Sequence, residues 1–160
     1  MTLIWTRVDQ KLIHGQVTLA WVPHLDINAI VVIDQDTAED PWAQKMMLLG
    51  LPPEVKDTRF TSPELLTEVM EAGELARRRI MAIFKNIADV LEAMEGGFVF
   101  DKLNLGNQAC QPPDQNVRLA DNFFASPKDL GELAGLKKKG LEIIVQSVPR
   151  GKAVRWKPPK

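Results

Sequence analysis

The chain has 160 residues, 45% of them hydrophobic and 26% charged, with a formal net charge of −1. This is the composition of an ordinary globular protein of one domain spanning residues 1–160, long enough to bury roughly 70% of the surface its unfolded form exposes. The balanced charge gives nucleic-acid binding no bulk electrostatic support, and the lone cysteine, Cys110, excludes an intramolecular disulfide and a Cys-based zinc site.

Leu3 to Val8 reads as a first strand, followed by the loop Arg7-Val8-Asp9-Gln10-Lys11-Leu12-Ile13-His14-Gly15-Gln16-Val17. A helix from about Gly15 to Val22 should stop near Pro23, because proline removes a backbone donor and clashes with the preceding turn. The continuous apolar run Asn28 to Asp34 has the character of a strand buried on both faces. One helix is expected from Asp34, Asp36, Glu39 and Asp40 through Trp42, Met46, Met47 and Leu48, broken by Pro52-Pro53. Val55 to Thr61 is a third strand. Ser62 then stands as N-cap of a helix that ends near Gly73.

Arg79 to Phe84 is a fourth strand, and Ile87 to Met94 a helix ended by Gly96-Gly97. Lys102 to Gly106 is a fifth strand. The irregular region after it has room for a strand within Asn116 to Phe124. A helix begins at Ser126-Pro127 and closes at Lys137-Lys138-Lys139-Gly140, and Leu141 to Val145 is the last clear strand. The basic tail Arg150 to Lys160 is expected to fray or lie on the surface. This alternation predicts an α/β fold: a single three-layer domain with a central, mostly parallel sheet and helices on both faces.

Such sheets bind ligands beyond the carboxyl ends of their strands. That rule brings together the loop Arg7 to His14, Asp34, Lys85-Asn86 and Gly106-Asn107. His14 is the chemical centre: an imidazole at a helix mouth, flanked by Arg7 and Lys11, with first-turn amides and the helix dipole available to an anion. Gly15 leaves the approach to the ring clear. A phosphoryl group is the natural occupant, since imidazoles attack phosphorus in line while cations and amides neutralise the equatorial oxygens. Asp9 would orient the ring through one nitrogen or pair with Arg7 or Lys11. Asp34 would either bond the loop or cap the next helix.

His24, past Pro23, reads as a helix-end cap or a solvated side chain. The two histidines have no metal-ligand spacing, so no metal is expected, and no glycine-rich nucleotide motif appears, so no cofactor is expected. Cys110 has no histidine near it in sequence and is a poor nucleophile candidate. Trp5, Trp21 and Met46-Met47 look like core or interface packing.

Arg7-Val8-Asp9 and Leu12-Ile13-His14-Gly15-Gln16-Val17, with Trp21 after them, resemble the signature of the IIB component of mannose-type (mannose/fructose/sorbose) sugar phosphotransferase systems. Val31 to Asp34 with Ala38, Pro52-Pro53, Gly96-Gly97, Leu105-Gly106 and Ile143 to Pro149 follow in the order that family shows. The resemblance implies a cytoplasmic phosphotransferase domain that takes a phosphoryl group from a IIA phosphohistidine onto Nδ1 of His14. It passes the group to a sugar held by the membrane IIC and IID components.

Carried over residue by residue, His14, Arg7 and Lys11 would be catalytic. Asp9, Gly15, Gln16, Asp34 and Gly106 would bind the phosphoryl group or organise the loop. Lys11 stands where the family usually has arginine, keeping the charge without the planar fork, and Asn107 stands where a glycine is often seen. Two functional readings follow: a phosphocarrier of sugar uptake, or a regulatory relay phosphorylated at His14 with no sugar acceptor. The partner set is IIA, IIC, IID and a sugar, without nucleic acid and with a homodimer left open.

Overall fold

A computed structural model describes residues 2–160. Nine strands and six α-helices alternate among the described residues. Seven of those strands form one sheet in the order β3-β2-β4-β1-β5-β8-β9. They are β1 (Thr2–Asp9), β2 (Ala29–Ile33), β3 (Asp57–Thr61), β4 (Arg79–Phe84), β5 (Lys102–Asn107), β8 (Glu142–Val145) and β9 (Val154–Arg155). Every pairing in it is parallel except β8 with β9. A separate antiparallel hairpin joins β6 (Val117–Ala120) to β7 (Phe123–Ala125).

The central strands are apolar on both faces because both faces are covered. In β4, Ile80, Ala82 and Phe84 point to one side, where they meet Leu66 and Met70 of α4 (Leu66–Glu71), Ile87, Val90 and Ala93 of α5 (Ile87–Glu95), and Leu133 and Leu136 of α6 (Pro127–Lys138). Met81 and Ile83 alternate to the other side and meet Leu12, Val17, Trp21 and Val22. Full burial of each Val, Leu, Ile, Phe or Met side chain among them contributes about 1.5–3 kcal/mol. The three layers expected from the sequence are present.

Three local expectations change, and the alternative for the tail is decided. The first helix does not stop at Pro23: a π-helical stretch, Gln16–Trp21, runs straight into α1 (Val22–Leu25), with the Val22 amide donating to the carbonyl of Val17 five residues back. The wider turn relieves the clash proline makes with the carbonyl four residues back. The long acidic-led helix is two helices, α2 (Gln35–Ala38) and α3 (Pro41–Leu49). Asp40 serves as a second N-cap, accepting from the amides of Trp42 and Ala43, and Pro41 restarts the helix. Ser62 does not cap α4 directly; its Oγ accepts from the Leu65 amide at 3.4 Å, so a turn comes first. Of the two expectations for the tail, lying on the surface is the one met, and it is docked there rather than frayed. Residues of β9 pair with β8, and Trp156 is 6% exposed with its amide bonded to the carbonyl of Ile143 at 2.8 Å. Burial of an indole ties down a segment whose charge pattern suggested solvent.

This topology defines the site. From β1 the chain crosses to β2 and β3 on one side, while from β5 it goes to β8 on the other. The carboxyl ends of the neighbours β1 and β5 therefore flank a topological switch point, where α/β sheets leave a crevice.

Candidate functional site

Arg7 and Asp9, two residues apart on β1, point to the same side of the strand, and both are fully buried. A buried guanidinium requires partners for its five donors, and each is supplied. Nε donates to Asp9 Oδ2 at 3.0 Å. Nη1 donates to Asn104 Oδ1 at 2.7 Å and to the Gln146 carbonyl at 3.2 Å. Nη2 donates to the Ser147 carbonyl at 3.0 Å and to Gln16 Oε1 at 3.4 Å. The Arg7 carbon Cζ also lies 5.6 Å from the centroid of the Trp21 ring, whose indole nitrogen donates to the same Ser147 carbonyl. Burial lowers the Arg7 pKa against the charge and hydrogen bond of Asp9, yet a guanidinium remains charged in any protein setting.

The guanidinium lies flat against Gly106 of β5. A Cβ there would fall 2.0 Å from Arg7 Cζ, so glycine is required by close approach. Gly106 organises the loop through Arg7.

Asp9 anchors the loop from below. Oδ1 accepts the Lys11 amide at 2.9 Å. Oδ2 accepts from Arg7, from His14 Nε2 at 2.6 Å and from Asn107 Nδ2 at 3.3 Å. Burial by itself would raise the Asp9 carboxyl; the His14 hydrogen bond, the Arg7 charge and the Lys11 amide outweigh it and hold the group below the ordinary carboxylate value. An ionised carboxylate only accepts, so Nε2 carries the ring proton and the lone pair of the neutral imidazole sits on Nδ1. The His14 side chain is 19% exposed.

The loop between them is fixed by Leu12, which takes a left-handed φ of 57°, donates its amide to the Asp9 carbonyl at 3.0 Å and buries its side chain in the second core. The amides of Val17 and Thr18 are both taken by the His14 carbonyl. Among the described residues, the amides of Gly15 and Gln16 donate to nothing, and the Lys11 ammonium has no ion-pair partner. At Gly15 φ is an ordinary −53°, and an added Cβ would meet nothing nearer than Leu19 Cδ1 at 4.0 Å. Neither backbone nor packing calls for glycine there.

Two sequence expectations are corrected. Arg7 does not face an incoming anion, because all its donors are committed inward; it fixes Asp9 and the loop. Asp34 does not bond the loop: it caps α2, accepting the Thr37 amide at 3.1 Å and its hydroxyl at 2.6 Å, with Lys85 Nζ at 3.7 Å. β4 separates its strand from β1. His14, Asp9, Gln16 and Gly106 are brought together, with Lys11 and Gly15 at the open side.

Residues not anticipated are Asn104, Gln146, Ser147 and the full part played by Asn107. Asn104 holds Arg7, accepts from the Trp5 indole at 3.1 Å and donates to the Gln146 carbonyl at 2.9 Å. An amide inside the otherwise apolar run Leu103-Asn104-Leu105 was the available signal, since a buried amide must find partners.

The chain matches the family model described as PTS system sorbose subfamily IIB component over residues 3–158. It is 30% identical over 152 residues to the N-acetylgalactosamine-specific phosphotransferase enzyme IIB component 2 of Escherichia coli K12, covering 95% of this chain and 94% of that protein. The sorbose-specific EIIB component of Klebsiella pneumoniae is 26% identical over 148 residues, which is 92% of this chain and 88% of that one. Among solved structures, the IIBSor domain of the K. pneumoniae sorbose permease superposes with a TM-score of 0.85 at 25% identity, over 96% of this chain and 93% of that one. The N-acetylgalactosamine-specific IIB component 1 of E. coli gives 0.84 at 25% identity, over 99% and 100%. The chain belongs to the sorbose subfamily of phosphotransferase-system IIB components, phosphotransferases that carry phosphoryl groups for sugar transport together with IIA and IIC/IID partners.

Proposed function

We propose that His14 is the residue of this chain that carries the phosphoryl group, accepting it at Nδ1 from the phosphohistidine of a IIA component at the cytoplasmic face. It then yields the group to a sugar held by IIC and IID. The observation that carries this reading is the 2.6 Å hydrogen bond from His14 Nε2 to buried Asp9, which leaves the Nδ1 lone pair as the nucleophile. Lys11 and the amides of Gly15 and Gln16 supply positive charge to the phosphoryl oxygens. Arg7, Asp9, Gln16 and Gly106 hold the loop so that no reorganisation is needed as charge develops. Metal and cofactor have no step in this scheme.

Docking of the donor is supported by the surface beside the ring. Leu19, whose Cδ1 reaches to within 4.0 Å of where a Gly15 Cβ would stand, is 80% exposed. It forms a ridge between a cleft of about 600 Å³ reaching Val148 and Arg150 and one of about 360 Å³ reaching Pro52. A relay without a sugar acceptor finds no support among relatives named for sugar-specific transport.

Phosphoryl transfer from a phosphorylated mannose-type IIA protein to the wild type and to His14→Ala tests the reading. Label on the wild type alone, chased to a sugar by membranes holding IIC and IID, is the expected result. Label retained by His14→Ala would overturn it. The relatives' names divide among N-acetylgalactosamine, sorbose and mannose, so the chase is run with each.

A further inference from the structure

Three donors converge on one oxygen of Asp9. His14 Nε2 stands at 2.6 Å, Arg7 Nε at 3.0 Å and Asn107 Nδ2 at 3.3 Å, while the other oxygen is taken by the Lys11 amide. A carboxylate oxygen has two lone pairs, so the third donor competes with the first two. Asn107 ends β5, is 8% exposed, and is pinned against the loop by the Gln10 amide, which donates to its carbonyl at 2.9 Å. The same Nδ2 also donates to Gln16 Oε1. Asp9 would be fully satisfied without Asn107, so the amide is not there to rescue a buried charge.

We propose that Asn107 is a positioning residue that loosens the hold of Asp9 on the His14 ring and thereby raises the phosphoryl-transfer potential of the phosphorylated protein. The inference rests on phosphorylation of His14 at Nδ1. In that step the P–N bond of the donor breaks and its electron pair stays on the donor nitrogen. The Nδ1 lone pair of His14 forms the new P–N bond, Nε2 keeps its proton, and the ring becomes cationic. Asp9 balances that charge through the Nε2 hydrogen bond. A neutral donor on the same oxygen draws off part of the negative charge. The phosphorylated ring is then held less deeply and gives up its group more readily, the P–N pair returning to Nδ1.

The test uses the full chain with Asn107→Ala and the apolar, near-isosteric Asn107→Leu, each equilibrated with a phosphorylated mannose-type IIA partner. Losing the competing donor should raise the phosphorylated fraction, as an equilibrium ratio, by roughly three- to tenfold in both variants. Spontaneous hydrolysis should slow in both; there water attacks phosphorus, the P–N pair returns to Nδ1 and the proton leaves on phosphate. In the unphosphorylated protein, the Nε2–H proton resonance of His14 should move downfield in both variants as its bond to Asp9 shortens.

A mere prop for Gln16 gives the opposite sign, with less phosphorylation and no downfield shift in either variant, and that result would overturn the inference. So would an unchanged equilibrium on a labelled wild type. A wild type that takes no label overturns the phosphocarrier reading itself, and the resonance still reports separately whether Asn107 competes for Asp9.

Discussion

Substituting Gly106 by alanine tests the construction of the site most directly. The added Cβ would sit 2.0 Å from Arg7 Cζ, 2.3 Å from Nη2 and 2.4 Å from Nε. Ordinary contact requires the guanidinium to retreat by roughly 1.5 Å. It is fully buried, with its donors spent on Asp9, Asn104, Gln16 and two carbonyls, so retreat breaks several bonds together. A hydrogen bond to a charged group contributes about 1.5–3 kcal/mol, and losing two of them costs about 3–6 kcal/mol. That is a large part of the roughly 5–15 kcal/mol that holds a domain folded.

Urea unfolding of Gly106→Ala should show this loss, with a melting temperature lower by on the order of 10 °C or more. Repeating the change in an Arg7→Met background separates the cause. A flexible apolar side chain can step aside, so there the alanine should cost far less, and the two effects should be strongly non-additive. A Gly106→Ala protein within about 1 kcal/mol of the wild type would refute the reasoning.

Gly15→Ala should do the reverse, leaving the unfolding midpoint unchanged while slowing phosphoryl transfer from IIA about tenfold or more, because the new methyl occupies the approach to the ring. Asp89 of α5 carries a carboxyl pushed up to about 6, first by burial and then by Asp34 and Glu92 against the pull of Lys85. The folded state therefore holds that proton over a range where the unfolded chain has released it. Stability should fall as pH rises from about 4 to 6, and Asp89→Asn should flatten that slope in pH-dependent urea titrations and be the more stable protein at pH 7. Trp156→Ala should cost about 3–5 kcal/mol in the same assay, since it empties a buried indole site; a loss below about 1 kcal/mol would mean the tail is not anchored there.

The strands legible in the sequence are those whose neighbours make them apolar on both faces. Arg79 to Phe84 matches β4 residue for residue, and β2 differs from its expectation by one residue at each end. The loop proposed to carry the site stood out too, because charge gathered beside one imidazole after a strand has few other uses. What stayed hidden is long-range. Arg7 looked like an anion receptor, and only partners 97 to 140 residues away turn it inward. The strand Val154–Arg155 is two residues long and owes its conformation to the edge of β8. No local propensity reports that. The break at Asp40-Pro41 was legible in principle, as an N-cap followed by proline, but the acidic residues Asp34 to Asp40 read as the first turn of one longer helix.

The carbonyls of Gln146 and Ser147 tie the first strand to a segment just beyond β8. During synthesis the N-terminal loop therefore emerges long before the groups that complete it, and a nascent chain holding only the first hundred-odd residues presents His14 without a seated Arg7 beneath it. Competence to receive a phosphoryl group becomes a late property of folding, acquired when the last strands close on the first. Incomplete chains would be poor acceptors and would not drain phosphoryl groups from the donor pool.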